Sequence, residues 1–177
     1  GADVDYTVPD RIVDGYGINE NIINHAIEDG IDTIVTCDNG IAAIPQINYA
    51  KENNMTVIVT DHHDIPFKEE NGEKVFLESD ADAIVNPKQK ECKYPFKMLC
   101  GATVAYKLIE IIYERLNLNP EDLNEYRQLA SIATIGDVVD LEDENRVLVK
   151  FGLSTLKNTK NTGIRALVDA CQIDIAS

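Results

Sequence analysis

The sequence predicts an α/β fold, a parallel sheet with flanking helices, followed by a mainly helical C-terminal part. Three observations carry this. Two short β-branched runs, TIVTC at 33–37 and MTVIVT at 55–60, read as buried strands. The stretch 41–53 between them fits a helix, so the order is that of a parallel βαβ unit, whose strands are often neighbours. From Leu99 onward apolar residues recur at helical spacing and strand-like runs stop.

Each element has a local reason. Asp3 to Val8 alternates and reads as a short strand stopped by Pro9; 9–17 is a loop. Asn19 is the expected N-cap of a helix whose apolar face is Ile22, Ile23, Ala26 and Ile27, with Gly30 closing it. His25 lies off that face and reads as surface. Pro45 comes early enough for the first turn of the second helix. Residues 64–81 read as polar and irregular, Ala83–Val85 as a further strand before Asn86-Pro87, and 88–96 as a second loop. Helices are expected over 99–117, about 120–135, 143–158 and 163–172. Residues 1–98 are thus the α/β part and 99–177 the helical part of one domain.

The chain has 177 residues and a formal charge of −15, which argues against a free-standing nucleic-acid clamp. An acidic balance suits a hydrolase that gathers carboxylates around cations. Cys37, Cys92, Cys100 and Cys171 match no zinc spacing and read as reduced thiols of a cytoplasmic protein. No membrane span or signal peptide is expected. The chain starts Gly1-Ala2-Asp3 and reads as a fragment.

Both buried strands end in titratable groups. Asp38-Asn39-Gly40 follows the first, and Asp61-His62-His63-Asp64 follows the second, with two of the chain's three histidines adjacent. In open parallel sheets ligands bind beyond the carboxyl ends of the strands. Neighbouring strands lie about 4.8 Å apart, so Asp38 and the histidine pair would converge within one cation's reach. Helix N-termini also point at this edge and favour anions. Carboxylates with imidazole and no thiolate suit manganese, or zinc, iron or cobalt, and magnesium less naturally. A third contribution would come from LASIATIGDVVDL at 129–141, where Gly136 ends a helix before Asp137 and Asp140. Spacing does not choose between those two acids.

VTDHH at 59–63 is similar to the signature of the DHH phosphoesterases, and the wider set resembles their RecJ branch of single-strand-specific exonucleases. VDYTVPDRIVDGYGIN, TCDNGI, VIVTDHHDIP, AIVNPKQKECKYPFKMLCGATVAYKL and IATIGDVVDLEDENRVLVKFGL resemble successive RecJ-type stretches, and together they span almost the whole chain. The resemblance implies that Asp38 bridges two metal ions, and that His62 and Asp137 ligate one of them. It makes Asp61 a ligand or an acceptor that orients His62, and sets His63 against the scissile phosphate. It implies a two-metal 5′-to-3′ hydrolysis of single-stranded DNA in repair and recombination, with manganese as the main cofactor and magnesium as an alternative. Arg11, Tyr16, Lys88, Lys93, Lys97 and Gly101 become the candidate contacts to the strand. The family's first motif of clustered aspartates and its downstream DHH-associated domain are not found, so this fragment is expected to be inactive or weakly active alone. Asp3 and Asp5 are not assigned the first motif's role, and Asp140 stands where relatives often have Pro. The alternatives are a DHH phosphodiesterase acting on short oligonucleotides or cyclic dinucleotides, and a non-catalytic replication scaffold. Protein partners are not legible.

Overall fold

A computed structural model of the chain describes residues 2–12 and 14–173. Two compact units, Gly1–Cys92 and Lys93–Ser177, divide it.

In the first unit, α1 (Glu20–Glu28) starts where the Asn19 side chain accepts the Ile22 N–H at 3.0 Å. Ile23 on its inner face is fully buried, whereas Ile27 remains partly exposed. β1 (Thr33–Val35), α2 (Ile44–Glu52, with Pro45 in the first turn) and β2 (Thr56–Thr60) form the βαβ unit. The two strands are parallel neighbours, with Val35 opposite Ile58. β2 also pairs in parallel with a later strand, Ala83–Val85, so it is the centre of a three-stranded sheet. Val57 and Val59 point from this central strand into a core with Ile18, Ile23, Ile47, Ala50 and Met55.

The segment read as irregular contains a hairpin, β3 (Phe67–Glu70) and β4 (Glu73–Phe76), antiparallel and wholly exposed. Its turn is Asn71-Gly72, both at positive φ (54° and 83°), the pair that two-residue hairpin turns favour. The strand Ala83–Val85 is therefore β5. The expected strand at 3–8 does not form: Val4, Tyr6 and Val8 are each at least 79% exposed, and no described strand pairs with them. Alternation makes a strand only where a ladder partner exists.

The second unit holds α3 (Gly101–Arg115), α4 (Leu123–Gly136), α5 (Asp143–Thr155) and α6 (Thr162–Ala170), with 3-10 turns at Pro120–Asp122 and Leu156–Asn158. The first of these helices starts two residues later than expected, because Cys100 is still extended. Tyr106, Leu123, Ala130 and Leu148 form its core. Polar residues lie inside it as well. Thr103 and Thr134 share a hydrogen bond of 3.1 Å, and the Ser131 hydroxyl donates to carbonyls of α4 and α5. Among the described residues all four cysteines are free thiols, and no helix is long and apolar enough to cross a membrane.

Candidate metal centre

The parallel pairing of β1 and β2 sets both titratable clusters at one edge of the sheet. The ladder runs past the strand ends: Thr36 N–H donates to Ile58, and Asp38 N–H donates to the Thr60 carbonyl at 3.0 Å. Asp61 N–H in turn donates to the Val85 carbonyl of β5. The backbone then turns, with Asp38 at φ +63° and Gly40 at +111°.

Asp38, His62 and His63 each offer one ligating atom, all within 4.8 Å of one another. His62 Nε2 lies 3.1 Å from an Asp38 carboxylate oxygen. The His62 side chain is 12% exposed and that of Asp38 52%, so the pair has a buried wall and an open mouth. The His62 and His63 rings sit 4.5 Å apart, tilted by 55°.

Asp61 lies beneath, its side chain 1% exposed. One carboxylate oxygen accepts the His62 and His63 backbone N–H groups, at 2.7 and 3.2 Å, and bonds His63 Nδ1 at 2.6 Å. The other accepts Ile41 N–H at 2.9 Å. Burial pushes this carboxyl up, but the Ile41 N–H, the His63 ring and the backbone N–H groups of His63 and His62 outweigh it and hold it below the usual range. An ionised acceptor of this kind makes Nδ1 the protonated ring nitrogen of His63 and leaves Nε2 for other partners. The carboxylate thus takes the ring of His63, and of His62 only the backbone.

Asn86 braces the same edge: its amide donates to the His63 carbonyl at 2.9 Å. Lys88 follows it and pairs with Asp64 at 2.8 Å, holding the Asp64 carboxyl below the usual range. Arg11 lies over the exposed Tyr16 ring, 5.4 Å from its centroid. Asn39 links this segment to the Asp38 turn, its side chain accepting Ile18 N–H at 3.3 Å and donating to the Cys37 carbonyl at 2.9 Å.

The remaining sequence candidates belong to the second unit. Asp137 caps the end of α4, its N–H donating to Ala133 at 2.8 Å, and Val138 follows at φ +58°, unusual for a β-branched residue. Asn145 steadies the loop after it, donating to the Asp140 and Met98 carbonyls. Lys93 is exposed, Lys97 half-buried, and Gly101 is the buried first residue of α3.

Thr36, Asn39, Thr60 and Asn86 were not singled out from sequence. Asn39 and Asn86 carried a signal in their places beside Asp38 and before Pro87. The two threonines carried none beyond being β-branched strand residues.

The donor set fits a divalent cation of intermediate softness: a carboxylate and an imidazole within bonding reach of each other, with no thiolate. Comparison with known proteins points the same way. Residues 1–136 match the profile described as DHH family, N-terminal domain. The chain is 41% identical over 174 residues to the single-stranded-DNA-specific exonuclease RecJ of Bacillus subtilis (strain 168), covering 98% of this chain and 20% of that protein. It is 35% identical over 181 residues to RecJ of Salmonella typhimurium (strain LT2), covering 97% of this chain and 30% of that one. A crystal structure of exonuclease RecJ bound to manganese superposes with a TM-score of 0.79 at 32% identity, covering 96% of this chain and 40% of the other. The chain therefore spans well under half the length of these relatives.

Proposed function

Because the chain belongs to the DHH family, we propose that it is the catalytic core of a metal-dependent 5′-to-3′ single-stranded-DNA exonuclease, working in the cytoplasm in DNA repair and recombination. The observation that carries the reading is the approach of His62 Nε2 to the Asp38 carboxylate at the carboxyl edge of a parallel sheet. The likeness to RecJ proteins supports the substrate, and the manganese of the matched crystal structure supports the metal. In this reading 1–98 and 99–177 are the α/β and helical parts of one domain.

Asp38 and His62 would hold divalent manganese, with magnesium as a substitute. Asp137 remains a further ligand on the strength of its family motif alone. A bound cation pair supplies an activated water and neutralises charge on the phosphodiester. The chain's own groups do the rest. Asp61, saturated by four hydrogen bonds, orients the His63 ring and fixes the backbone from which His62 projects. His63, with Nδ1 engaged by Asp61, directs Nε2 outward, and in its doubly protonated form donates from Nε2 to a phosphate oxygen as negative charge develops there. Arg11 and Tyr16 present a cation and a ring to the strand, as backbone and base contacts require. Lys88, Lys93, Lys97 and the helix opening at Gly101 are further candidate contacts.

The test is digestion of 5′-phosphorylated single-stranded DNA by the full-length protein with manganese. Activity that disappears in Asp38→Ala and His62→Ala supports the proposal. Turnover of dinucleotides without turnover of long strands would move the assignment to the short-substrate phosphodiesterases. DNA binding with no hydrolysis under any metal would leave a scaffold.

A further inference from the structure

Asp38 sits where the ladder ends and a turn begins: its N–H still reaches the Thr60 carbonyl at 3.0 Å, but its own conformation is that of the turn. β1 stops at Val35, and Asp38 lies three residues on, in a left-handed conformation (φ +63°). A residue with a β-carbon keeps that conformation only where its surroundings fix it. The turn from 36 to 40 therefore depends on its tethers.

The Thr36 hydroxyl, buried inside that turn, is such a tether. It donates to the Asn39 carbonyl at 2.7 Å and accepts the Thr60 N–H at 3.2 Å. Thr60 crosses back, its own hydroxyl donating to the Thr36 carbonyl at 2.6 Å. One hydroxyl thus joins the turn bearing Asp38 to the end of β2, a residue before Asp61. The fit leaves no slack: a β-carbon on Gly40 would lie 2.9 Å from Thr36 Oγ1 and 3.1 Å from Val59 Cγ1.

We propose that Thr36 is a positioning residue of the metal centre. Its hydroxyl fixes the turn that presents the Asp38 carboxylate beside His62, and so sets the affinity for a divalent cation. The inference rests on the reading of Asp38 and His62 as metal ligands. Thr36→Val keeps the shape of the side chain but removes both hydrogen bonds, whereas Thr36→Ser keeps them. Loss of a group that orients a metal ligand costs about ten- to a hundredfold in affinity.

Manganese is titrated into the wild-type protein and both variants, with free Mn²⁺ read from its electron-spin-resonance signal and Tm measured without metal. Thr36→Val should bind about ten- to a hundredfold more weakly, and Thr36→Ser should bind as the wild type does. Equal affinity in Thr36→Val overturns the inference, and so does a Thr36→Ser that is as weak as Thr36→Val. Should Thr36→Val fail to fold, Thr36→Ala removes the same two hydrogen bonds without adding bulk to the turn. Undiminished binding in a folded Thr36→Ala is then the contrary result. A wild-type protein that binds no manganese removes the metal reading itself, and this inference with it.

Discussion

The nitrogens of two adjacent histidines meet different partners. His62 turns Nε2 to Asp38 from a largely buried position, while His63 spends Nδ1 on Asp61 and keeps a side chain 59% exposed. Under the proposed function the first environment suits a ligand and the second, in the doubly protonated form, a donor facing substrate. In the full-length protein His63→Ala should therefore retain manganese affinity while turnover of single-stranded DNA falls about 10²–10³-fold, the usual cost of removing one transition-state donor. Direct titration with manganese alongside single-turnover kinetics checks both halves. The convergence of Asp38 with the histidines was legible in the sequence, because two buried strands separated by one helix are parallel neighbours with their ends on one edge. The saturation of Asp61 was not. It depends on the N–H of Ile41, which only the turn at Gly40 brings beneath the carboxylate.

At the scale of elements, the sheet is pinned by one exposed carboxylate. Asp82 accepts the Val57 N–H at 2.7 Å and pairs with Lys51 of α2 at 2.6 Å, and its own N–H donates to the Val57 carbonyl. The Lys51 ammonium and then the Val57 N–H hold its carboxyl below the ordinary range. A lowered folded value means the unfolded chain binds the proton more readily. The contribution is thus full above the ordinary carboxylate pKa of about 3.9 and is lost as pH falls through the lowered value. Asp82→Asn should be less stable at neutral pH and show a shallower acid limb below about pH 4 in melts taken across pH. In the second unit α4 meets α5 at Ser131 and Gly152. A β-carbon at 152 would lie 1.9 Å from Ser131 Oγ and 2.5 Å from its Cβ. Helix propensity alone favours Ala over Gly by about 1 kcal/mol. The contact reverses the sign, since the hydroxyl is held by the Arg127 and Leu148 carbonyls and cannot swing away freely. Gly152→Ala should destabilise the protein by about 1–3 kcal/mol in urea unfolding. Strands built on β-branched runs and helices opened by Asn19 or Pro45 could be read locally. The β3–β4 hairpin escaped because none of its residues is buried, leaving only Asn71-Gly72 to announce it. The alternation at 3–8 misled because a ladder needs a second strand.

Across the whole molecule, the fold divides its tasks between a sheet that aims side chains and helices that bury polar residues in paired contacts. A chain of charge −15 repels a polyanion, so under the proposed function contacts to DNA would fall to local groups such as Arg11 and Tyr16 and to bound cations that offset the carboxylates. The ordered motifs read from the sequence spanned nearly all of it, and the match to the DHH profile over residues 1–136 bears out the family they pointed to. Thr36 stayed hidden because a threonine at a strand end looks like any other β-branched residue until its hydroxyl is seen between two backbones. The central claim is that Asp38 and His62 form a cation site at the edge shared by β1 and β2. Manganese titration of the wild-type protein, Asp38→Ala and His62→Ala, followed by the electron-spin-resonance signal of free Mn²⁺, tests it most directly. Saturable binding in the wild type that is lost in both variants is the predicted result; no binding in the wild type, or binding undiminished in both variants, would contradict it.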